Sequence, residues 1–405
     1  MSGFTVSRRL LLGTAAAGLA MPAVLRAQSS TIKIGFITSL TGPYATEAAD
    51  QVRCAQIAVA QFNDAGGLNG QKAELVVRDD KLDPGEAATR TLELIEKDQV
   101  NFIVGSISAS VQLAMNNIAK QRKVIFNSIS QSDQILALPD WSRYTFHEAL
   151  TPHLTTAAVG KYAFGKFGKR VVFLSADYAF GHDLVKGFRA VGDTMGIEVL
   201  ADLYHPVGAT DYSTLLPRIA ALKPDILAIC NFGRDQQIAI RQAADFGIKK
   251  TTHIIAPVLL LTSRLAVGPA AFEGVSGGTS YYWGIEANTP SAKAFNDLYR
   301  KSNEGKLPSD YGSLGYGGTR GVLAGVTAAG SIDTEKVVDA MSGMKYDFYK
   351  GGQQYRACDH QSVQSVFIVE SKSKDMANPS DVFSVVETVP ASEDLLIACK
   401  DEGHV

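Results

Sequence analysis

The chain has 405 residues, of which 46% are hydrophobic and 20% are charged, and its formal net charge is −2. This composition is typical of a globular protein, excludes extended disorder, and predicts two domains of ordinary size at this length. Lysine and arginine are scattered along the chain rather than massed, so nucleic-acid binding has no electrostatic basis.

Residues 1–27 have the pattern of an export signal that is removed from the mature protein. Ser7-Arg8-Arg9 precedes the apolar run 10–20, and Pro22 then breaks that run before small residues lead to Ala27. The apolar run is too short to span a bilayer. Paired arginines before the apolar core favour the twin-arginine route, which exports folded proteins, over the Sec route. We therefore expect an exported, soluble protein that works in the periplasm.

An alternation of apolar strands and helices follows the signal. The first round predicts strand Ile32–Thr38, helix Glu47–Asp64, strand Ala73–Val77, helix Pro84–Lys97, strand Phe102–Val104, helix Val111–Lys120 and strand Val124–Phe126. The second round predicts helix Leu154–Phe167, strand Val171–Leu174, helix Asp183–Met195, strand Val199–Tyr204, helix Tyr212–Leu222, strand Ile226–Ile229, helix Gln236–Phe246 and strand His253–Ile255. Continuously apolar strands separated by helices indicate an α/β protein with two doubly wound parallel-sheet lobes.

Small polar and aromatic residues follow the predicted strands, at the sheet edge where α/β proteins bind ligands. In the first round these loops are Ser39–Tyr44, Ser106–Ser110 and Asn127–Ser132, which are rich in hydroxyl groups. In the second round they are Ser175–Phe180 and Asn231–Gly233, which carry aromatic rings. Hydroxyl residues at such positions cap helices and leave backbone N–H groups available to an anion. The loops predict a binding cleft with a polar wall and an aromatic wall.

Motifs of catalysis, cofactor binding and metal binding fail on their context. Gly160–Lys166 resembles a phosphate-binding loop but lacks the hydroxyl residue that binds magnesium. The nucleophile-elbow spacing around Ser276 precedes the predicted strand Thr279–Trp283 instead of following one. The pairs His182-Asp183 and Asp359-His360 have no further metal ligands at suitable spacing. We expect no enzyme activity, no cofactor and no metal site.

Several segments resemble the periplasmic solute-binding proteins of ABC transporters, in the branch of leucine/isoleucine/valine-binding proteins. The segments are Ile34–Phe36 with Thr41–Tyr44, Phe62–Gly70, Asp177–Gly181 and Arg356–Gln361. The resemblance covers essentially the whole mature chain. It implies the type I periplasmic binding fold, in which two lobes joined by three hinge strands close on a small ligand and dock on a membrane permease.

The resemblance also implies how the chain divides between the lobes. Lobe one is expected to comprise residues 31–148 and 279–355, and lobe two residues 149–278 and 356–400. We place the three hinge crossings near Glu148, Gly278 and Tyr355. We expect a monomer whose partners are the permease subunits and a small carboxylate ligand.

Individual residues take their roles from the same resemblance. Tyr44 matches a tyrosine of the cleft, and Tyr178 and Phe232 match aromatic walls lent by the second lobe. The loop that takes the ligand carboxylate corresponds to Ser108, Ala109 and Ser110. A second carboxylate loop corresponds to Ser128, Ser130 and Gln131, where this chain departs from the usual Ala-Ala-Thr pattern.

The identity of the ligand depends on Val258. In amino-acid-binding relatives a carboxylate near this position pairs with the ammonium group of the ligand, and an ammonium buried without a counter-charge is strongly disfavoured. The aromatic residues that can supply a flat apolar wall are Tyr44, Tyr178, Phe180, Phe232, Tyr281 and Tyr282. We therefore favour a carboxylic acid without an α-ammonium group, with an aromatic acid such as a benzoate first.

Two alternatives remain open at this stage. The ligand is a branched-chain amino acid if Asp177 or Asp235 replaces the missing acid from another loop. The protein is a ligand sensor rather than a transport receptor if no permease accompanies it, because the same fold serves both roles. Among the four cysteines, Cys54 and Cys230 are expected to be buried and free. An oxidising compartment permits a bridge between Cys358 and Cys399.

Overall fold

Two parallel sheets form from the two rounds of alternating strands and helices. The computed structural model describes residues 1, 3, 31–375 and 380–404, so nearly all of the predicted export signal lies outside the described residues. The first round comprises β1 (Ile32–Thr38), α1 (Ala45–Asp64), β2 (Ala73–Asp79), α2 (Pro84–Glu96), β3 (Phe102–Gly105), α3 (Ala109–Arg122), β4 (Ile125–Ser128) and β5 (Thr145–His147).

The second round follows without interruption. Its elements are α4 (Pro152–Lys166), β6 (Arg170–Ala176), α5 (Ala179–Met195), β7 (Glu198–His205), α6 (Leu216–Leu222), β8 (Ile226–Cys230), α7 (Gly233–Asp245), β9 (His253–Val258), α8 (Leu261–Val267), α9 (Pro269–Phe272) and β10 (Ser276–Thr279). The remaining elements are α10 (Pro290–Ser302), α11 (Asp310–Ala329), α12 (Thr334–Met341), β11 (Lys345–Tyr346), β12 (Gln353–Tyr355), β13 (Ser362–Val363), β14 (Val366–Ser371) and β15 (Phe383–Val389).

Each of the two large sheets has one point at which the order of its strands reverses. The first sheet has the order β2-β1-β3-β4-β5 with every pairing parallel. The second has the order β15-β14-β10-β9-β8-β6-β7, parallel from β10 to β7. The order reverses between β1 and β3 in one sheet and between β6 and β8 in the other. A crevice opens at such reversals, at the carboxyl ends of the strands.

The antiparallel part of the structure was not predicted. β14 pairs antiparallel with both β10 and β15 at one edge of the second sheet. β11, β12 and β13 form a separate antiparallel sheet of three strands. The expectation of two doubly wound parallel sheets is therefore confirmed for their central strands, and the second sheet is mixed.

Several predicted boundaries were wrong by a few residues, and two of them have a visible structural cause. The predicted strand Thr279–Trp283 is instead β10, which begins at Ser276, so Ser276 lies inside a strand rather than at a turn. The glycines there allow close pairing, because a Cβ on Gly277 would lie 1.9 Å from the Ala256 carbonyl oxygen. The predicted helix Tyr212–Leu222 begins only at Leu216, since the backbone N–H of Tyr212 donates 2.8 Å to Gln242 Oε1.

Helix α11 packs directly on α1 because α11 carries glycine where the two helices touch. A Cβ on Gly315 would lie 2.2 Å from the Gln51 carbonyl oxygen, so only glycine allows this approach. The Ser309 side chain caps α11 by accepting from the Gly312 N–H at 2.9 Å. The contact holds the first turns of α1 and α11 side by side.

The chain passes between the two sheets three times. The passages run from β5 to α4, from β10 to the helices that flank α1, and from β13 to β14. The first two begin at the expected positions Glu148 and Gly278, whereas the third lies between Val363 and Val366, beyond the expected Tyr355. The lobe boundaries and the hinge motion stay predictions.

The four cysteines have the states expected from the sequence. Cys358 and Cys399 form a disulfide across 41 residues. Cys54 and Cys230 are buried and free. None of the helices in the described part of the chain has the length and apolarity needed to cross a bilayer.

Candidate ligand-binding site

The loops that follow β3, β4, β6 and β8 meet around a narrow, tightly lined pocket, called the cavity below. The loops of the first sheet contribute mainly small and polar residues to its lining, those of the second sheet contribute aromatic rings, and α11 adds the ring of Tyr311. The lining residues are Ile107, Ala109, Ser130, Gln131, Tyr178, Phe180, Phe232 and Tyr311. The strand-end loops therefore converge as the sequence predicts, with Ile107 and Tyr311 added to the expected set.

The loop after β3 presents the beginning of helix α3 to the cavity. Ser108 is the N-cap residue, and its side chain caps no backbone group. Ala109, the first residue of α3, lines the cavity, and Ser110 is half-buried one position further along. The first N–H groups of a helix lack partners within it and carry a partial positive charge. This end of the cavity is suited to a carboxylate.

A buried acid fixes the shape of that loop. The Asp80 carboxylate accepts hydrogen bonds from Ser39 Oγ at 2.5 Å and from Ser106 Oγ at 3.0 Å. Ser106 Oγ in turn accepts from the Ile107 N–H at 2.6 Å. Ser106 is thus used within the protein, whereas the Ser108 hydroxyl makes no hydrogen bond in the described part of the chain.

In the loop after β4, Ser128 forms a hydrogen bond within the protein, whereas Ser130 and Gln131 line the cavity. The Ser128 hydroxyl is fully buried and donates to Gln112 Oε1, so the structure turns Ser128 away from the cavity. The Ser130 carbonyl oxygen lies 2.7 Å from His147 Nε2, which leaves its hydroxyl free to face a ligand.

Four aromatic rings build the opposite wall around Phe232. The ring of Phe232 meets Tyr311 at 4.5 Å and Tyr44 at 4.9 Å between centroids, both edge to face. Phe180 completes the wall at 6.5 Å. The Tyr44 hydroxyl is buried beside the Tyr178 hydroxyl, within hydrogen-bonding reach of it, and burial is the largest cause that raises the pKa of Tyr44. The two hydroxyls are candidate hydrogen-bonding groups for a ligand.

Two of the expected aromatic residues, Tyr281 and Tyr282, lie in a separate core and do not reach the cavity. Tyr281 packs between Phe295 and Tyr349, and its hydroxyl donates to Asn296 Oδ1 at 2.5 Å. Its neighbour Tyr282 packs on Phe383 in the same core. Both follow β10, which lies two strands away from β8 in the second sheet.

Val258 is buried outside the lining, so no carboxylate stands at the position expected from amino-acid-binding relatives. Its carbonyl oxygen accepts from Gln236 Nε2 at 2.6 Å. The two proposed replacements are also engaged. Asp177 is exposed beside His182 at 2.8 Å. Asp235 accepts the Gly208 N–H at 2.9 Å.

The acids that the sequence did not reveal are Glu47 and Asp310. Both are buried beside the cavity residue Tyr311, on the first turns of α1 and α11. Their signal in the sequence is weak, because an acid in the first turn of a helix normally interacts with the helix dipole. In the described part of the chain, His, Cys, Asp and Glu side chains nowhere gather in a group of three that would hold a metal ion.

Comparison with known proteins agrees with this architecture. The family model for the periplasmic binding proteins matches residues 31–376. The Leu/Ile/Val-binding protein BraC3 of Rhizobium johnstonii is 28% identical over 351 residues, which are 83% of this chain and 89% of that protein.

Solved structures share the fold over nearly the whole chain. A periplasmic binding protein from Burkholderia mallei superposes with a TM-score of 0.84 at 29% identity, covering 92% of this chain and 97% of the other. A solute-binding protein of an ABC transporter from Rhodopseudomonas palustris, solved with 3,4-dihydroxybenzoic acid, has a TM-score of 0.80 at 23% identity. That likeness covers 90% of this chain and 98% of the other and shows the fold alone.

Proposed function

Since the chain belongs to the periplasmic binding protein family, the solute-binding receptors of ABC transporters, we propose that it closes on a small carboxylic acid and delivers it to a membrane permease. Members of this family bind solutes and are not enzymes. We propose the residues of the cavity lining, together with Tyr44, Ser108 and Ser110, as the ligand-contacting set.

A single observation supports the carboxylate: the N-terminus of α3 and the Ser130 hydroxyl meet at one end of an otherwise aromatic cavity. Backbone N–H groups and hydroxyls at a helix N-terminus stabilise an anion without a charged side chain. A flat ring fits against Phe232 and its neighbours, since aromatic rings stack or meet edge to face at these separations.

An aromatic acid is favoured over a branched-chain amino acid. The apolar Val258, the engaged Asp235 and the exposed Asp177 leave the expected positions without a counter-charge for an α-ammonium group. One neighbour in the fold carries a dihydroxybenzoic acid, so this architecture accommodates such a ring. The name of the curated relative supports leucine, isoleucine and valine as the second candidates.

Calorimetry with the purified protein tests the ligand class. Leucine is titrated against a panel of benzoates and hydroxycinnamates. We expect at least one aromatic acid to bind with a dissociation constant of about 1 μM or tighter. Tight binding of leucine together with no response to any aromatic acid would overturn the proposal.

The transport role has its own test. We propose that the protein is exported to the periplasm by the twin-arginine signal and acts there as a monomer beside permease subunits. Deleting the gene should abolish uptake of the radiolabelled ligand, and restoring it should recover uptake. Normal uptake in the deletion strain, with loss of a transcriptional or chemotactic response, would favour the sensor instead.

A further inference from the structure

The Asp310 carboxylate is buried without a side-chain partner among the described residues. Asp310 is only 2% exposed, and the groups that approach its carboxyl oxygens as donors are the backbone N–H groups of Asp310 and Tyr311, at the start of α11. Buried polar groups are almost always hydrogen-bonded, and an unpaired buried carboxylate is strongly unfavourable. A bound ligand is the simplest source of a further hydrogen-bond donor to the Asp310 carboxylate.

A second acid stands next to it. Glu47 is 1% exposed and accepts a hydrogen bond of 2.5 Å from the Thr262 hydroxyl. Burial first, and then the charge of the neighbouring Glu47, raise the pKa of Asp310 to about 8, against the backbone hydrogen bonds from Asp310 and Tyr311. Burial likewise raises the pKa of Glu47 to about 7, against the hydrogen bond from Thr262. Glu47 and Asp310, the acid pair, therefore share a site that disfavours two full charges.

The next acid along α1 shows what a satisfied carboxylate looks like in the same place. Asp50 accepts hydrogen bonds from Arg53 Nη1 at 2.6 Å and from the Tyr299 hydroxyl at 2.5 Å. Its other oxygen accepts from the N–H and the hydroxyl of Ser309, at 2.9 and 2.5 Å. The fold supplies four donors to Asp50, three of them on side chains, whereas no side chain in the described part of the chain donates to its neighbour Asp310.

Tyr311 connects the acid pair to the cavity. It directly follows Asp310, its ring lines the cavity, and its hydroxyl lies within electrostatic reach of both Asp310 and Glu47. The same hydroxyl lies beside Gln131, which belongs to the carboxylate end. The acid pair thus flanks the cavity on the side of α1 and α11.

We propose that the acid pair is a subsite for a hydrogen-bond donor on the ligand, a hydroxyl or an ammonium group carried in addition to the carboxylate. This inference rests on the proposed function. A hydroxyl donates one proton to an Asp310 carboxyl oxygen, and an ammonium group also supplies charge. In either case the donor replaces the hydrogen bonds that Asp310 loses on burial.

Matched ligand pairs test the subsite on the unmodified protein. 4-Hydroxybenzoate and 3-hydroxybenzoate are compared with the corresponding methylbenzoates, because a methyl group has nearly the size of a hydroxyl. Leucine is compared with 4-methylpentanoate, which is leucine without its ammonium group. Within the pair that binds, we expect the donor-bearing ligand to bind at least about tenfold more tightly. The hydroxyl and ammonium sources are distinguished by which pair shows the preference.

Isosteric variants locate the preference. Asp310→Asn and Glu47→Gln are each expected to reduce the tenfold preference to about threefold or less, since a neutral amide is a weaker acceptor. Asp50→Asn is the control, because Asp50 has its own donors and does not line the cavity. This control should lower the melting temperature and leave the preference unchanged.

Equal affinities within every pair for the unmodified protein would overturn the subsite, whether or not the variants fold. So would a preference that survives in both Asp310→Asn and Glu47→Gln. The proposed function fails separately, when no carboxylic acid of the panel binds at all. Tight binding of plain benzoate with no gain from a hydroxyl leaves the proposed function standing and removes the acid-pair subsite.

Discussion

The Tyr355 hydroxyl donates a hydrogen bond of 3.0 Å to the Glu148 carboxylate, joining residues that lie 207 positions apart. Tyr346 and Tyr349 donate to the same carboxylate at 2.6 and 3.0 Å, and Gln353 donates at 3.0 Å. Glu148 lies where the chain leaves the first sheet, and Tyr355 ends β12 in the separate three-stranded sheet, ahead of the third passage. One fully buried carboxylate therefore connects the first passage to that small sheet.

Glu148→Gln should destabilise the protein strongly. The variant keeps the shape of the side chain but points amide hydrogens at hydroxyls that need an acceptor, so we expect the free energy of unfolding to fall by about 2–4 kcal/mol. Urea denaturation measures the change. Glu335→Gln is the control, because Glu335 also accepts from a tyrosine hydroxyl but its side chain is 49% exposed. A loss no larger than that of the control would refute the role of Glu148.

Ligand binding should make the protein more compact. Two lobes linked by hinge passages populate an open form without ligand and a closed form with it. Small-angle scattering is expected to give a smaller radius of gyration in the complex. In the structure the strand-end loops touch, since the Arg234 N–H donates 3.1 Å to the Pro43 carbonyl oxygen. An unchanged radius despite tight binding would exclude the hinge model.

Phe232→Ala should weaken ligand binding about 10- to 100-fold, because Phe232 is the centre of the aromatic wall. Calorimetry with the best aromatic acid measures the loss. Tyr281→Phe is the matched aromatic change in the core, where the hydroxyl bonds Asn296. It should lower stability by about 1 kcal/mol and leave the affinity within twofold or so. A larger effect at Tyr281 than at Phe232 would return Tyr281 to the binding wall.

Asp310→Asn should stabilise the unliganded protein at high pH. The pKa of Asp310 rises from 3.8 to about 8 on folding through burial and the charges of Glu47 and Asp50. A raised pKa adds stability below the unfolded value, and this stability is lost as pH rises through the folded value. In thermal melts, the stabilities of the two proteins should therefore respond alike near pH 4, whereas near pH 9 the variant should gain up to about 5–6 kcal/mol relative to the parent, the equivalent of about four pKa units. Parallel melting curves at all pH values would contradict the buried ionisation.

Removing the disulfide should lower stability without preventing folding. In the chain-entropy model, a disulfide that closes a loop of 41 residues stabilises the folded protein by roughly 3–4 kcal/mol. The double variant Cys358→Ser with Cys399→Ser should show that loss in urea denaturation. Mass mapping of non-reduced peptides from the exported protein should find the two cysteines linked. Two free thiols in that experiment would contradict the bridge.

The buried parallel strands could be predicted from the sequence because the signals for such strands are local. Apolar runs such as Ile226–Ile229 are bounded by turn residues, and a buried strand needs no information from distant partners. The strands β14 and β15 escaped prediction because β14 pairs with β10, about 90 positions earlier in the chain, and because β15, which pairs only with β14, has a largely exposed face.

The binding loops were predictable for a different reason than the residues within them. Strand ends in a parallel sheet meet at one edge, so Ser130 and Phe232 follow from strand positions alone. Which side chain turns inward depends on competition between partners. Ser128 is taken by Gln112, and Tyr281 by Asn296, and no spacing in the sequence announces either pairing.

The disulfide also bears on the order in which the protein is made. A protein on the predicted twin-arginine route folds in the cytoplasm, where thiols stay reduced. Noncovalent contacts must then bring Cys399 to Cys358, and the structure has them. The Leu138 N–H donates 2.9 Å to the Glu402 carbonyl oxygen, and Arg356 reaches the Glu402 carboxylate at 3.3 Å. On that route, we expect the disulfide to form after transport, on a C-terminal segment that noncovalent contacts have already docked.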